Sequence, residues 1–128
     1  MATPTTKDYE TAARLREALR RFARVTELVT REHGLTPRTY QLLLMIRTGR
    51  QPGRAGIPEL EERLQLGRST ITELVSRAEA AGLVQRELDR DRRGAISVAI
   101  TEAGRRELAE LIVALGDERR RLMALLRG

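Results

Sequence analysis

Apolar residues recur at helical spacing through the middle of the chain, and the spacing then changes to two. Over residues 68–80 they follow the i, i+3, i+4, i+7 pattern that buries one stripe of a helix: Ile71, Leu74, Val75 and Ala78. Beyond Gly82, the larger apolar residues of the segment 95–100 alternate with alanine and serine, as in a strand. The pattern predicts a helix that ends near Gly82 and is followed by a β-hairpin.

A shorter helix is expected just before this one. Pro58 stands where a first helical turn tolerates proline, and Leu60 and Leu64 fall one turn apart on one face. We expect the pair Leu66-Gly67 to end this helix. Two helices joined by a tight turn and followed by a hairpin form a winged helix-turn-helix, in which the second helix enters a DNA groove.

The second helix has a polar outer face. At about 100° per residue, Ser69, Glu73 and Ser76 point away from the apolar stripe. Hydroxyl and guanidinium groups can bind base edges and phosphates, although polar faces are also common on ordinary surface helices. Either Gly67 or Ser69 is the N-cap, and Ser69 is free to bind a phosphate if Gly67 caps. The candidate DNA contacts of this helix are Arg68, Ser69, Thr70, Thr72, Ser76 and Arg77.

Two further places carry candidate phosphate contacts. The hairpin tip at residues 89–94 reads Asp-Arg-Asp-Arg-Arg-Gly, and its arginines Arg90, Arg92 and Arg93 can reach phosphates or a narrow minor groove. The alternative is a solvated tip with local arginine–aspartate pairs, and which arginine stands at the tip stays open. The second place is a helix start with Thr36 as cap and Pro37 in the first turn, where Arg38 is either a phosphate contact or a plain surface charge.

Two long segments with heptad-like apolar spacing flank this module. Leu15, Phe22 and Val29 are seven apart in a helix expected over residues 7–32, and a similar seam runs along residues 108–126. Gly116-Asp117 indicates either a kink in this second segment or a break after which Asp117 caps the next helix. The seams pack either on each other or across a two-fold axis. We favour the homodimer, because the module between the seams has its own core. The expected interface residues are Leu15, Leu19, Phe22, Leu111, Leu115, Leu122 and Leu125.

Composition narrows the class of protein. A chain of 128 residues with 41% hydrophobic and 2% aromatic residues is expected to be one compact, mainly helical unit with an aliphatic core. The net charge of +6 suits a polyanion, yet residues 57–104 hold 7 basic and 9 acidic groups, so the arginines must be segregated to one face. No run of residues is apolar enough for a transmembrane helix or a signal peptide. We therefore expect a cytoplasmic protein without a membrane partner.

Enzymatic chemistry has little support in the residues. The chain has no cysteine, which excludes disulfides and thiolate metal sites, and it has no phosphate-binding glycine loop. His33 is the only histidine, and beside Gly34 it is expected to end a helix and interact with the helix dipole. The sequence therefore predicts no catalytic residue, no cofactor and no metal.

The run LGRSTITELVSRAEAAGLVQRELDRDRRGAISVAITEAG at 66–104 resembles the MarR family of bacterial transcription regulators. Upstream, Leu35-Thr36-Pro37 followed by Tyr40, Leu43 and Ile46 is similar to the first helix of that family's DNA-binding domain. The resemblance covers nearly the whole chain, but residues 49–56 look longer than the family's usual connection. It implies a dimer on double-stranded DNA, most simply a repressor that occludes a promoter at a pseudo-palindromic operator.

The same resemblance implies relief by a small aromatic or acidic effector. Phe22, His33 and Tyr40 are the candidate pocket residues, with ordinary packing as the alternative for each.

The expected fold is mainly α, with a small antiparallel β wing. Residues 1–34 form an N-terminal dimerisation helix, 35–101 the winged helix-turn-helix and 102–128 the C-terminal dimerisation helices. The rival function is a winged-helix module that binds protein, but the polar helix face and the arginine-rich wing favour DNA.

Overall fold

Helices dominate the part of the chain that the computed structural model describes, residues 2–88 and 94–127. Six helices and three strands lie in these ranges, in the order α1 (Thr6–Glu32), α2 (Pro37–Arg47), β1 (Arg54–Gly56), α3 (Ile57–Leu64), α4 (Arg68–Ala80), β2 (Val84–Leu88), β3 (Ile96–Ile100), α5 (Glu102–Ala114) and α6 (Gly116–Arg127). The predicted winged helix-turn-helix with flanking helices is confirmed. Across the same ranges, no helix is both long and apolar enough to span a membrane.

The helix boundaries follow from capping residues. Thr36 and Thr101 are the N-caps of α2 and α5, as predicted, and each side chain accepts a hydrogen bond from a backbone N–H three residues later. Thr5 caps α1 and forms a reciprocal pair of hydrogen bonds with Asp8. His33 is the C-cap of α1, which confirms its expected place at a helix end.

The turn between α3 and α4 differs slightly from the prediction. α3 ends at Leu64, two residues before the expected stop, because Gln65 takes the left-handed conformation at φ 56°. Gly67 is then the N-cap of α4. At the other end of α4, Gly82 has φ +79° and donates its N–H to the Glu79 carbonyl, so glycine ends this helix as expected.

The sheet has one strand more than the sequence predicts. β2 and β3 pair antiparallel as the predicted hairpin, and β1 adds to the other edge of β3, giving the order β1-β3-β2. The long connection at residues 49–56 therefore contains a strand. A Cβ on Gly49 would collide with the Arg54 carbonyl, so glycine is required where this segment folds back on itself.

A single hydrophobic core has α2 near its centre. The apolar residues that are 0% exposed come from α2 (Leu42, Leu43 and Ile46), from α3, α4 and β3, and from α5 (Leu111). Leu115, at the end of α5, is only 2% exposed in the same core. This corrects the prediction that Leu111 and Leu115 lie in a dimer contact, because their surfaces are already covered by the chain's own core. Leu111 and Leu115 can hold the helices that form a dimer contact in place, but their side chains are not exposed to a partner.

The C-terminal helical segment is broken rather than continuous. Leu115 is the C-cap of α5, and its carbonyl accepts the N–H of Arg119 in α6. Asp117 lies in the first turn of α6 and pairs with Arg120, so it does not cap the helix. Of the two alternatives for Gly116-Asp117, the structure shows the break, but the prediction that Asp117 caps the second helix is wrong.

Candidate nucleic-acid interface

α4 presents a polar face opposite a fully packed one. Its apolar stripe is buried as predicted: Ile71 and Val75 are 0% exposed, Ala78 2% and Leu74 8%. The opposite face carries exposed Ser69, Thr72, Glu73, Ser76 and Arg77, while Thr70 is half-buried at the edge. A helix that is held this firmly from behind can enter a groove without losing its position.

The start of α4 leaves Ser69 uncommitted to capping. Gly67 is the N-cap and makes no side-chain capping bond, so backbone N–H groups of the first turn stay available. Ser69 stands in this first turn and is exposed. A phosphate can therefore accept from both the helix N-terminus and the serine hydroxyl.

Two arginines of the polar face are paired with acids in the unbound chain. Arg68 contacts Glu61 of α3 at 3.2 Å, and Arg77 contacts Glu73 one turn earlier on α4. Both arginine side chains are 74% exposed. Exposed pairs contribute only about 0–1 kcal/mol, so a phosphate or a base edge can replace the acid at low cost.

Arg86 of β2 joins the wing to α4, a role that no pattern in the sequence indicates. Its backbone N–H and its guanidinium both donate to the Glu79 carboxylate, at 3.0 and 2.8 Å. The same guanidinium donates to the Ser76 hydroxyl at 2.8 Å and to the Thr72 carbonyl at 3.3 Å. We call Arg86 and Glu79 the wing clamp. These hydrogen bonds fix β2, the first strand of the wing, against α4.

The wing clamp changes the interpretation of Ser76. The sequence pattern predicts a free hydroxyl that contacts DNA, but Ser76 accepts from Arg86 and donates to the Thr72 carbonyl at 3.0 Å. Its hydroxyl proton and one of its two acceptor positions are thus used within the chain. The side chains of the polar face that make no bond to the wing are Ser69, Thr70, Thr72, Glu73 and Arg77.

Glu79 is expected to stabilise the fold only when it is ionised. The hydrogen bond from the Arg86 backbone N–H, together with the guanidinium charge, holds the pKa of Glu79 below its usual range despite an opposing effect of burial. The unfolded value is about 4.3, so this stabilisation is complete above that pH and disappears as the pH falls through the lower folded-state pKa. Glu79→Gln should lower the melting temperature at pH 7, and the difference from the unmodified chain should shrink below about pH 4.

The matched control is Glu73→Gln, which removes an exposed acid of the same helix. It should change the melting temperature little at any pH, because exposed ion pairs contribute little. Thermal unfolding followed by circular dichroism across the pH range measures both variants. A Glu79→Gln difference that is independent of pH would contradict the role of the ionised carboxylate.

The N-terminus of α2 faces α4 across an open groove. Thr36, Pro37, Arg38 and Thr39 line one side, and Thr70, Glu73, Leu74 and Arg77 line the other. The structure thus brings exposed Arg38 next to the polar face of α4, although the two are far apart in sequence. Arg38 therefore adds a second cationic group beside α4.

The predicted wing arginines Arg90, Arg92 and Arg93 lie outside the described residues. What the structure shows is the base of the wing, where Leu88 pairs with Ile96 and both side chains are exposed. The described ends of the two strands therefore extend beyond the core at this point. The DNA-contacting role of these arginines stays a prediction.

The three candidate effector residues have different surroundings. Phe22 is half-buried on α1, and Tyr40 is 8% exposed in the core, where burial raises the pKa of its phenol and nearby Arg119 partly offsets this. His33 lies against Glu107 and Glu110 of α5. Their assignment to an effector pocket stays a prediction.

A helix-turn-helix backed by one core and followed by an antiparallel hairpin defines the class of winged-helix proteins. Residues 33–94 match the model of the MarR family. The resemblance to the MarR family seen in the sequence is therefore confirmed over these residues.

Several solved structures have a fold similar to that of this chain over most of its length. AbsC, a MarR family transcriptional regulator from Streptomyces coelicolor, has 21% identity and a TM-score of 0.82, over 98% of this chain and 84% of that one. A probable transcriptional regulator from Pseudomonas aeruginosa has 27% identity and a TM-score of 0.71, over 88% and 82%. A mutant MarR from E. coli complexed with operator DNA has 16% identity and a TM-score of 0.75, over 94% and 85%. No curated protein matches the sequence.

Proposed function

We propose that this chain is a sequence-specific DNA-binding transcription regulator that acts as a homodimer, with α4 in the major groove. The observation that carries the proposal is the polar face of α4, which stands opposite a completely buried stripe and beside the N-terminus of α2. The similarity to a MarR structure complexed with operator DNA supports it. The rival, a protein-binding winged helix, would need an apolar outer face, whereas this one carries hydroxyls and ion pairs.

The polar face divides into two kinds of contact. Thr72 and Arg77 lie in the middle of α4, where side chains of a recognition helix reach base edges. Arg38, Arg68 and Ser69 lie at helix starts, where phosphates bind to backbone N–H groups and nearby cations. The wing arginines then add phosphate or minor-groove contacts on the flank.

The proposed dimer rests on apolar surface at the ends of the chain. Residues 6–17 of α1 are exposed in the described chain, and a helical segment of this length is marginal in water unless it packs on something. Leu15 and Leu19 are 41% and 40% exposed, and Leu125 of α6 is 43% exposed. Phe22 and Leu122 are half-buried and extend the same surface. Two copies joined here would present two α4 helices to successive major grooves, about 34 Å apart.

We expect a dimer at micromolar concentration by light scattering. Charged side chains in the contact would leave carboxylates buried without partners, so Leu15→Glu with Leu19→Glu should give a monomer with much weaker operator binding. Leu88→Glu is the matched control, because it charges an exposed leucine at the base of the wing and should leave the mass unchanged. A monomeric unmodified chain at high concentration would refute the dimer.

Binding-site selection on random DNA duplexes tests the function as a whole. A dimeric regulator should recover an inverted repeat whose half-sites are about one helical turn apart. Recovery of no enriched sequence would favour the protein-binding module. Repression is the further step of the proposal: a dimer bound over a promoter should lower transcription in a purified system, and a small-molecule effector would restore it.

A further inference from the structure

The end of α1 and the middle of α5 bring the only histidine of the chain next to two carboxylates. His33 is the C-cap of α1, and Glu107 and Glu110 lie one turn apart on α5. His33 Nδ1 is 3.8 Å from Glu107 Oε2 and 3.5 Å from Glu110 Oε2, and one oxygen or nitrogen ligand atom from each of the three residues lies within 4.8 Å of the others. Three metal-ligand groups from two elements thus converge.

The spacing suits ligands around a cation better than a direct ion pair. A charge-assisted N–H···O bond would bring nitrogen and oxygen to about 2.7–2.9 Å. Ligand atoms that each lie about 2.0–2.2 Å from a tetrahedral zinc are roughly 3.3–3.6 Å from one another. The two distances from Nδ1 are close to this range, and all three ligand atoms lie within 4.8 Å of one another, so side-chain rotation can bring them around an ion.

Glu107 gives a second and independent sign of a missing ligand. Its Oε2 is buried, and within residues 2–88 and 94–127 this oxygen has no hydrogen-bond partner. A buried carboxylate oxygen without a donor is costly, and native proteins satisfy nearly all such atoms. A cation between Glu107 and His33 would satisfy it.

We propose that His33, Glu107 and Glu110 bind a divalent transition-metal ion, with Zn²⁺ the best fit. One imidazole and two carboxylates form a nitrogen–oxygen ligand set that suits zinc, and water would complete the coordination. Glu110 is 65% exposed, so the site opens to solvent and an ion can enter. The sequence pattern predicted no metal because His33 and the two glutamates of α5 are distant in sequence, and only the fold brings them together. The proposal does not depend on DNA binding.

Titration of chelator-treated, tag-free protein with Zn²⁺ tests the site by calorimetry. We expect one ion per chain. Loss of a direct ligand should cost at least as much as loss of an outer-shell partner, so His33→Gln, Glu107→Gln and Glu110→Gln should each weaken Zn²⁺ binding roughly tenfold or more. Glu102→Gln is the matched control, because Glu102 is an exposed acid of the same helix and should leave the affinity unchanged. Bound Zn²⁺ should also raise the melting temperature of the unmodified chain.

Glu110→Gln decides the case even if the partly buried Glu107 proves necessary for folding, because Glu110 is largely exposed. Circular dichroism should show that this variant folds. No Zn²⁺ binding by the unmodified chain would overturn the proposal. So would equal binding by Glu110→Gln, which would assign the uptake to scattered surface carboxylates.

Discussion

Replacing Arg77 by alanine is expected to weaken operator binding by about 1–3 kcal/mol and binding to scrambled duplex by much less. Arg77 lies mid-helix on the open face of α4, and its partner Glu73 is an exposed acid that a base edge can displace. Thr72→Ala should behave in the same way. Ser76→Ala should act mainly through the wing clamp, because Arg86 occupies its hydroxyl.

The wing arginines should give a different result. Alanine at Arg92 and Arg93 should weaken operator and scrambled duplex by similar factors, because contacts to phosphate carry no sequence information. The slope of log affinity against log salt should flatten by about one unit for each lost phosphate contact. Alanine at Arg77 should leave that slope nearly intact.

Fluorescence anisotropy at several salt concentrations, on both duplexes, measures these differences. Arg106→Ala is the matched control, since it removes an exposed arginine of α5, a helix that contributes no residue to the proposed interface. It should change neither affinity nor slope beyond the small effect of one distant charge. If the Arg92 and Arg93 double variant matches this control, the wing is a solvated hairpin.

Gly104→Ala is expected to destabilise the fold by about 2 kcal/mol or more, despite alanine's higher helix propensity. A Cβ at this position would collide with the Leu83 carbonyl and lie 2.9 Å from Ile100 Cγ1. The obstacle is backbone, so α5 must shift away from the start of β2. The shift would also strain Thr101, which caps α5 and donates to the Gly82 carbonyl at 2.6 Å.

Gly116→Ala is the matched control for this substitution. A Cβ there would meet the guanidinium of Arg120 at 3.2 Å, and the end of a long side chain can move. Its unfolding free energy in urea should therefore stay within about 1 kcal/mol of the unmodified chain. Equal stabilities for the two variants would show that the contact between α5 and Leu83 is looser than the structure indicates.

Sequence patterns predicted the elements whose signals are local. The buried stripe of α4, the threonine caps of α2 and α5 and the glycine stop at Gly82 each depend on residues within about one helical turn. β1 was missed because three residues, Arg54, Ala55 and Gly56, are too few to show a period. That strand forms because β3 offers it an open edge.

In the candidate site, too, the sequence predicted the features with local signals and missed those that depend on contacts between elements. Helical periodicity identified the outward face of α4, but it could not show that the Ser76 hydroxyl is occupied, because its partner Arg86 comes from another element. The apolar spacing of Leu111 and Leu115 fits an interface between copies and an internal core equally well. Only the packing of α5 on α2 decides for the core.

By itself, the amino-acid sequence determined the helix-turn-helix, the hairpin and the family resemblance, because capping, turn chemistry and apolar periodicity act over a few neighbouring residues. The tertiary structure decided which polar groups meet across elements. It placed Arg38 beside α4, joined Arg86 to Glu79 and brought His33 to the carboxylates of α5. These contacts depend on how helices and strands pack in space. The spacing of residues along the chain carries no information about which side chains of different elements come close together.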